Sequence, residues 1–310
     1  MAGFSVRTDI ASELTEQLEK LEGVSTSTEK LDGGILLTRG NVLDERGERA
    51  TGKPRGRYVT IESDGLKARS RKAAENAAQV LSRELAALCP EISGTGTALV
   101  VGLGNAGVTP DALGPETVDR IAVTRHLTEY MPKAAAEEKL RPVCAIAPGV
   151  LGVTGLETGE VIRGVVEKVK PAVVIAVDAL ASRSTDRLNS TIQLTDTGIR
   201  PGGGLGGRRM ELTRETLGVS VVALGMPTVV HAGTITRDAV ELFLLRMGEK
   251  ENSALLEMVA DAFEERFGSL VVTPKDIDAL IDDGARLIAM GLDSALHGAG
   301  LETVRRVLEN

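Results

Sequence analysis

ALVVGLGNAGVTPDALGP, residues 98–115, opens with an unbroken apolar run, turns on glycines and ends polar, delivering Asp111. AVVIAVDALASRS, residues 172–184, repeats the arrangement and delivers Asp178. Val- and Ile-rich runs bounded by Gly or Pro read as strands buried on both faces, as in a parallel sheet. Ligands of an open α/β sheet bind at the carboxyl ends of its strands. Two carboxylates supplied from two such ends would meet in one cleft, the arrangement that paired-acid chemistry uses.

Outward from these segments, strands and helices alternate. Strands are predicted at 97–103, 143–150, 172–180 and 219–226, and helices at 115–131 and 157–170. Upstream, residues 10–22 carry apolar positions at helical spacing, 31–62 reads as strands around a Gly-rich charged turn, and 65–89 as an Ala-rich helix stopped by Pro90. Downstream, helices dominate, at roughly 234–247, 253–267, 274–290 and 299–309. The order argues for a three-layer α/β sheet with helices on both faces. Residues 185–215 interrupt it as a polar, Gly-rich β/loop insertion.

Composition narrows the function. The 310 residues are 42% hydrophobic and 26% charged, with 36 Lys and Arg against 44 Asp and Glu. A net charge of −8 gives no basic field for nucleic acid, and 2% aromatics give no stacking platform for single strands. Cys89 and Cys144 form no CxxC or zinc pattern and read as reduced thiols of a cytosolic protein. No apolar run is long enough to predict a membrane span, and the N-terminus does not read as a secretory signal.

Gly102, Gly104 and Gly107 satisfy G-x-G-x-x-G, but Val108–Asp111 intervene before any helix, so the glycines are read as a tight turn and not as a dinucleotide site. PGGGLGGRRMEL places Arg208 and Arg209 after flexible backbone without the ending of a P-loop. His126 and His297 read as structural; His231, in PTVVHAGTI, follows a strand-like run. Ser182 or Ser184 with a His and an Asp would make a triad, but no G-x-S-x-G elbow supports one.

Several strings in order resemble the germination protease family of endospore-forming bacteria: VRTDIA (6–11), GLGN (102–105), VTPDALGP (108–115), APGVLGVTGLETGE (147–160), AVDALASRS (176–184), STIQLTDTGIRPGGGLGGRR (190–209) and GMPTVVHAGTI (225–235). The resemblance implies an atypical aspartic-type endopeptidase, similar in fold to hydrogenase maturation endopeptidases, that degrades small acid-soluble spore proteins in the germinating spore. It implies Asp111 and Asp178 as the catalytic pair, no cofactor, no nucleic-acid or membrane partner, a homotetramer, and a place in the cytoplasm of the forespore or spore core. It also implies a self-cleaving zymogen. Thr8-Asp9-Ile10-Ala11-Ser12-Glu13 is similar to the sequence cut in the family's substrates, which predicts scission between Asp9 and Ile10, a propeptide of residues 1–9 and a single protease domain of 10–310 with a helical C-terminal part.

On that reading Asn105 supports the oxyanion, and Arg183, Arg208 and Arg209 bind the acidic residue before the cut. The chain departs from the family pattern at Ala106-Gly107, where bulkier residues are expected, and at His231, where an acid is expected. The alternative is a metal-assisted maturation-type endopeptidase using Asp111, Asp178 and His231. A nucleotide-binding regulator would rest on the 102–107 glycines alone.

Overall fold

The computed structural model describes residues 22–137, 140–200, 210–248, 253–268 and 270–300. The apolar runs become the inner strands of one mixed sheet. β1 (Val24–Leu31), β2 (Ile35–Val42), β3 (Gly56–Glu62), β4 (Ala98–Gly102), β5 (Val143–Ile146), β6 (Val173–Ser182), β7 (Thr191–Thr195) and β8 (Ser220–His231) stand in the order β1-β2-β3-β7-β8-β6-β4-β5, and β9 (Val271–Val272) pairs with the end of β8. β8, β6, β4 and β5 run parallel. β1, β2, β3 and β7 continue the sheet antiparallel from β8.

Helices cover both faces. α1 (Arg71–Leu88), α2 (Leu113–Val118) and, further on, α6 (Ile277–His297) lie on one side, where Leu81, Leu85, Leu113, Ile281, Ile288 and Leu292 pack with Val100, Ile175, Ile192, Leu194, Val222 and Leu224. α3 (Thr158–Val169) lies on the other, where Ile162 and Val166 meet Leu99, Val101, Val174, Ala176 and Val221. Strand residues alternate strictly between the two clusters, as the period of a pleated strand requires. Each fully buried branched side chain contributes roughly 1.5–3 kcal/mol. α4 (Ala232–Arg246) and α5 (Ser253–Phe267) follow β8 as a separate pair. Together the sheet and its two helical coats form the three-layer α/β architecture expected of the sequence.

Four local expectations are sharpened. The polar β/loop stretch 185–215 contributes β7, which is buried throughout and joins the antiparallel and parallel halves of the sheet. The charged turn between β2 and β3 holds a short helix, Glu45–Thr51, capped by Asp44, whose side chain accepts from the Arg46 and Gly47 amides. The expected 115–131 helix is broken: α2 stops at Val118, and helices Arg125–Tyr130 and Pro132–Glu137 follow. Between them the Ala122 amide bonds Asp293 Oδ1 at 3.0 Å and the Thr124 amide bonds the Val143 carbonyl at 2.9 Å, so tertiary partners replace the helical ones. Finally, β6 and β8 run on to Ser182 and His231, beyond the predicted ends at 180 and 226, and Asp178 lies inside β6. The predicted helices over 10–22 and 299–309 fall largely outside the described residues.

Candidate active site

The parallel pair β4 and β6 is in register up to Gly102 opposite Val177, and the Leu103 amide adds one more bond to the Val177 carbonyl at 2.8 Å. From Asp178 onward β6 therefore keeps its β8 neighbour while the β4 chain turns away. That divergence opens the carboxyl edge of the sheet beside Asp178. Asp178 is half-buried, and its Oδ1 accepts from the Ala179 amide at 2.9 Å.

The chain leaving β4 folds back over the same edge. Gly104 has φ +109°, and a Cβ there would lie 2.0 Å from the Asp111 carbonyl oxygen, so only glycine fits. The Asn105 amide then donates to Asp111 Oδ2 at 2.7 Å, and the Asn105 carbonyl and side-chain oxygens accept from the Val108 and Gly107 amides at 3.0 and 2.9 Å. A short 3-10 turn, Thr109–Asp111, closes the loop, and buried Thr228 of β8 anchors it by donating to the Pro110 carbonyl at 2.7 Å. Asp111 is thus held half-buried at the edge where Asp178 emerges. A charged acceptor on a backbone N–H is among the stronger hydrogen bonds, which fixes this carboxylate in place.

The other predicted residues divide. Asn105 belongs to the loop, and its Nδ2 makes no hydrogen bond among the described residues. Arg183 follows β6 directly and is half-buried. Arg208, Arg209, Asp9 and Ile10 lie outside the described residues. His231 ends β8, where it pairs with Val271 of β9. Among the described residues no group of three His, Cys, Asp or Glu side chains that could hold a metal ion is found. The serines are committed locally: Ser182 Oγ donates to the Ser184 carbonyl and Ser184 Oγ accepts from the Asp186 amide. The 3-10 turn Thr109–Asp111 separates the glycine turn in sequence from α2, which starts at Leu113. Thr228 escaped the sequence reading; the one signal for it was a lone hydroxyl inside the apolar run GMPTVV.

Comparison with known proteins makes this chain a peptidase: residues 5–266 match the family described as germination protease, Peptidase_A25. The germination protease of Caldanaerobacter subterraneus is 46% identical over 95% of each chain. Those of Clostridium tetani and Bacillus cereus are 42% and 38% identical over 96% of this chain, and 97% and 95% of their own. The chain belongs to the germination protease family. Among solved structures, the [NiFe] hydrogenase maturation protease HycI of Thermococcus kodakarensis aligns over 66% of this chain and 96% of its own, at 17% identity and a TM-score of 0.32. No helix among the described residues is long and apolar enough to cross a membrane.

Proposed function

We propose that this member of the family is a self-processing, aspartic-type endopeptidase that starts the degradation of small acid-soluble spore proteins, acting in the spore core as a homotetramer. The observation that carries the reading is the arrival of Asp111 and Asp178 at one carboxyl edge, the first on the loop leaving β4 and the second on β6 where β4 diverges. Two carboxyl groups that share a site do not both ionise readily, so one holds a proton while the other is free to act as a base.

The ionised carboxylate takes a proton from water as the water oxygen bonds the scissile carbonyl carbon. The protonated carboxyl hydrogen-bonds the carbonyl oxygen, and on collapse of the tetrahedral intermediate the departing nitrogen receives a proton as the C–N bond breaks. The pair titrates as a unit, so neither role belongs to one aspartate alone. Asn105 Nδ2, beside Asp111, is the donor suited to the developing oxyanion. Arg183, Arg208 and Arg209 are the cations offered to the acidic residue that precedes the cut.

The first bond cut is Asp9–Ile10 of the chain itself, which removes residues 1–9. The purified chain, incubated at mildly acidic pH and read by N-terminal sequencing, should begin at Ile10. Faster processing at neutral than at acid pH, or a chain that still begins at its first residues, would contradict the proposal.

A further inference from the structure

The edge that carries the two aspartates continues along β6 and β8. Asp178 pairs with Gly225, and the strands stay paired as far as Ser182 opposite Val230. β8 then passes through His231 directly into α4. His231 stands six residues beyond Gly225, which at roughly 3.3 Å per residue sets the start of α4 about 20 Å past Asp178 on the same edge.

Three observations meet in the first turns of α4. The helix runs 15 residues and no side chain caps its N-terminus, although the Ala232 amide is taken by the Leu270 carbonyl at 2.9 Å. Such an end favours a negative charge. Thr234, in the first turn, is 1% exposed, and its Oγ1 has no hydrogen-bond partner. Arg237 is half-buried, its Nε is enclosed and equally unpartnered, and among the described residues it makes no ion pair. Residues i and i+3 share a helix face, and a long side chain leans toward the helix N-terminus. Arg237 therefore lies back over Thr234 and the first turn. Asp238, the next residue, has an interaction of its own. Native proteins pair their buried polar groups, so two orphans on one face, one of them a cation, call for a ligand that completes them.

The sequence expected to be cut offers that ligand. Asp9, before the cut, lies beside the aspartates and far short of α4. Upstream, MAGFSVRT contains no acid. Downstream the first acid is Glu13. In an extended substrate its α-carbon stands about 12 Å past the scissile bond, and the side chains of a glutamate and an arginine span the remainder.

We infer that the N-terminus of α4, with Arg237 and Thr234, is a subsite for the carboxylate of the acidic residue fourth after the cut in the polypeptide substrate. The inference rests on the reading of Asp111 and Asp178 as the catalytic pair and of Asp9–Ile10 as the bond cut. A guanidinium takes a carboxylate through charge-assisted N–H bonds, and the threonine hydroxyl supplies a further donor. The subsite lies away from the reacting atoms and selects where a chain is cut.

The test uses the full-length chain and fluorogenic peptides spanning Val6–Thr15, either intact or carrying Glu13→Gln or Glu13→Lys, with kcat/KM measured for each. The wild type should cut the intact peptide about tenfold more efficiently than the Glu13→Gln peptide, the loss of a charge-assisted bond, and the Glu13→Lys peptide less well still. Arg237→Gln should bring the intact and Glu13→Gln peptides to within about twofold of each other. Arg237→Glu should reverse the order and cut the Glu13→Lys peptide better than the intact one, a reversal that a merely structural role would not produce. If Arg237→Glu does not fold, Arg237→Gln carries the test. Equal cutting of the intact and Glu13→Gln peptides by the wild type, or a preference that survives in Arg237→Gln, overturns the inference and leaves the catalytic pair standing. If the wild type cuts no peptide at Asp9–Ile10, or Asp178→Asn cuts at the full rate, the underlying reading fails and the subsite falls with it.

Discussion

The backbone N–H of Asn105 donates to Oδ2 of Asp111 at 2.7 Å, so the loop that turns away from β4 returns to fix the carboxylate at that strand's own end. The bond exists because Gly104, one residue earlier, adopts a φ of +109° with its α-carbon hard against the Asp111 backbone. Gly104→Ala should therefore lower the unfolding free energy by about 2 kcal/mol, through backbone strain and displacement of the loop. Proteolysis should fall with it. Urea unfolding of the two chains checks the first effect; an unchanged midpoint would contradict the close approach.

A second prediction concerns the join between β2 and α1. Arg39 bonds Glu84 through both carboxylate oxygens, at 2.8 and 2.7 Å, and Glu84 is 3% exposed. Burial works to raise the Glu84 carboxyl, but the bonds to Arg39, helped by Arg83, outweigh it and leave the group below the ordinary carboxylate range. A carboxyl lowered on folding stabilises the protein above its unfolded pKa, and the contribution is lost as pH falls through the folded value. Arg39→Met should cost about 1–3 kcal/mol near neutrality, discounted for the partial exposure of Arg39 and the surviving Arg83 contact. The two chains should converge in stability in acid. Denaturation curves at pH 7 and pH 3 that differ by the same amount would count against it.

His297 supplies a dependence of opposite origin. Its Nε2 lies 3.0 Å from the Ala122 carbonyl, and Nδ1 is buried with no hydrogen-bond partner among the described residues. Burial holds the imidazole below its ordinary value against the smaller opposing effect of the Ala122 carbonyl, with Arg141 adding to the lowering. The unfolded chain then takes up a proton, at about pH 6.5, that the folded chain refuses. Stability should decline as pH falls below about 6.5, and His297→Gln, which does not titrate, should flatten that part of the curve. Thermal midpoints between pH 5 and 7.5 report it, and parallel curves would refute it.

Much of this was legible in the sequence where burial is two-sided. TALVVGL and AVVIAVDAL have no polar face, so a strand was the economical reading, and ETGEVIRGVVEKVK shows one apolar stripe at helical spacing. β7 was hidden because TIQLT divides by face: Ile192 and Leu194 feed the core while Thr191, Gln193 and Thr195 look polar in a Gly-rich neighbourhood. β1 was missed for a related reason, since VSTSTEKL is an exposed edge strand with almost nothing to bury. The break after Val118 depends on Asp293 and Val143, partners far away in sequence that no local pattern reports. At the site, the two aspartates were readable from their strand-end context. Gly225 and Thr228 acquire meaning only through the register of β8 with β6 and the reach of its hydroxyl to Pro110.

The most direct test of the paired-aspartate account is the rate of self-processing in four full-length chains: wild type, Asp111→Asn, Asp178→Asn and the double variant, at mildly acidic pH. Groups that act as one unit are not additive, so each single variant should slow scission at Asp9–Ile10 by at least about 100-fold and the double variant little further. Processing at the wild-type rate in either single variant, with folding intact, would contradict the central claim.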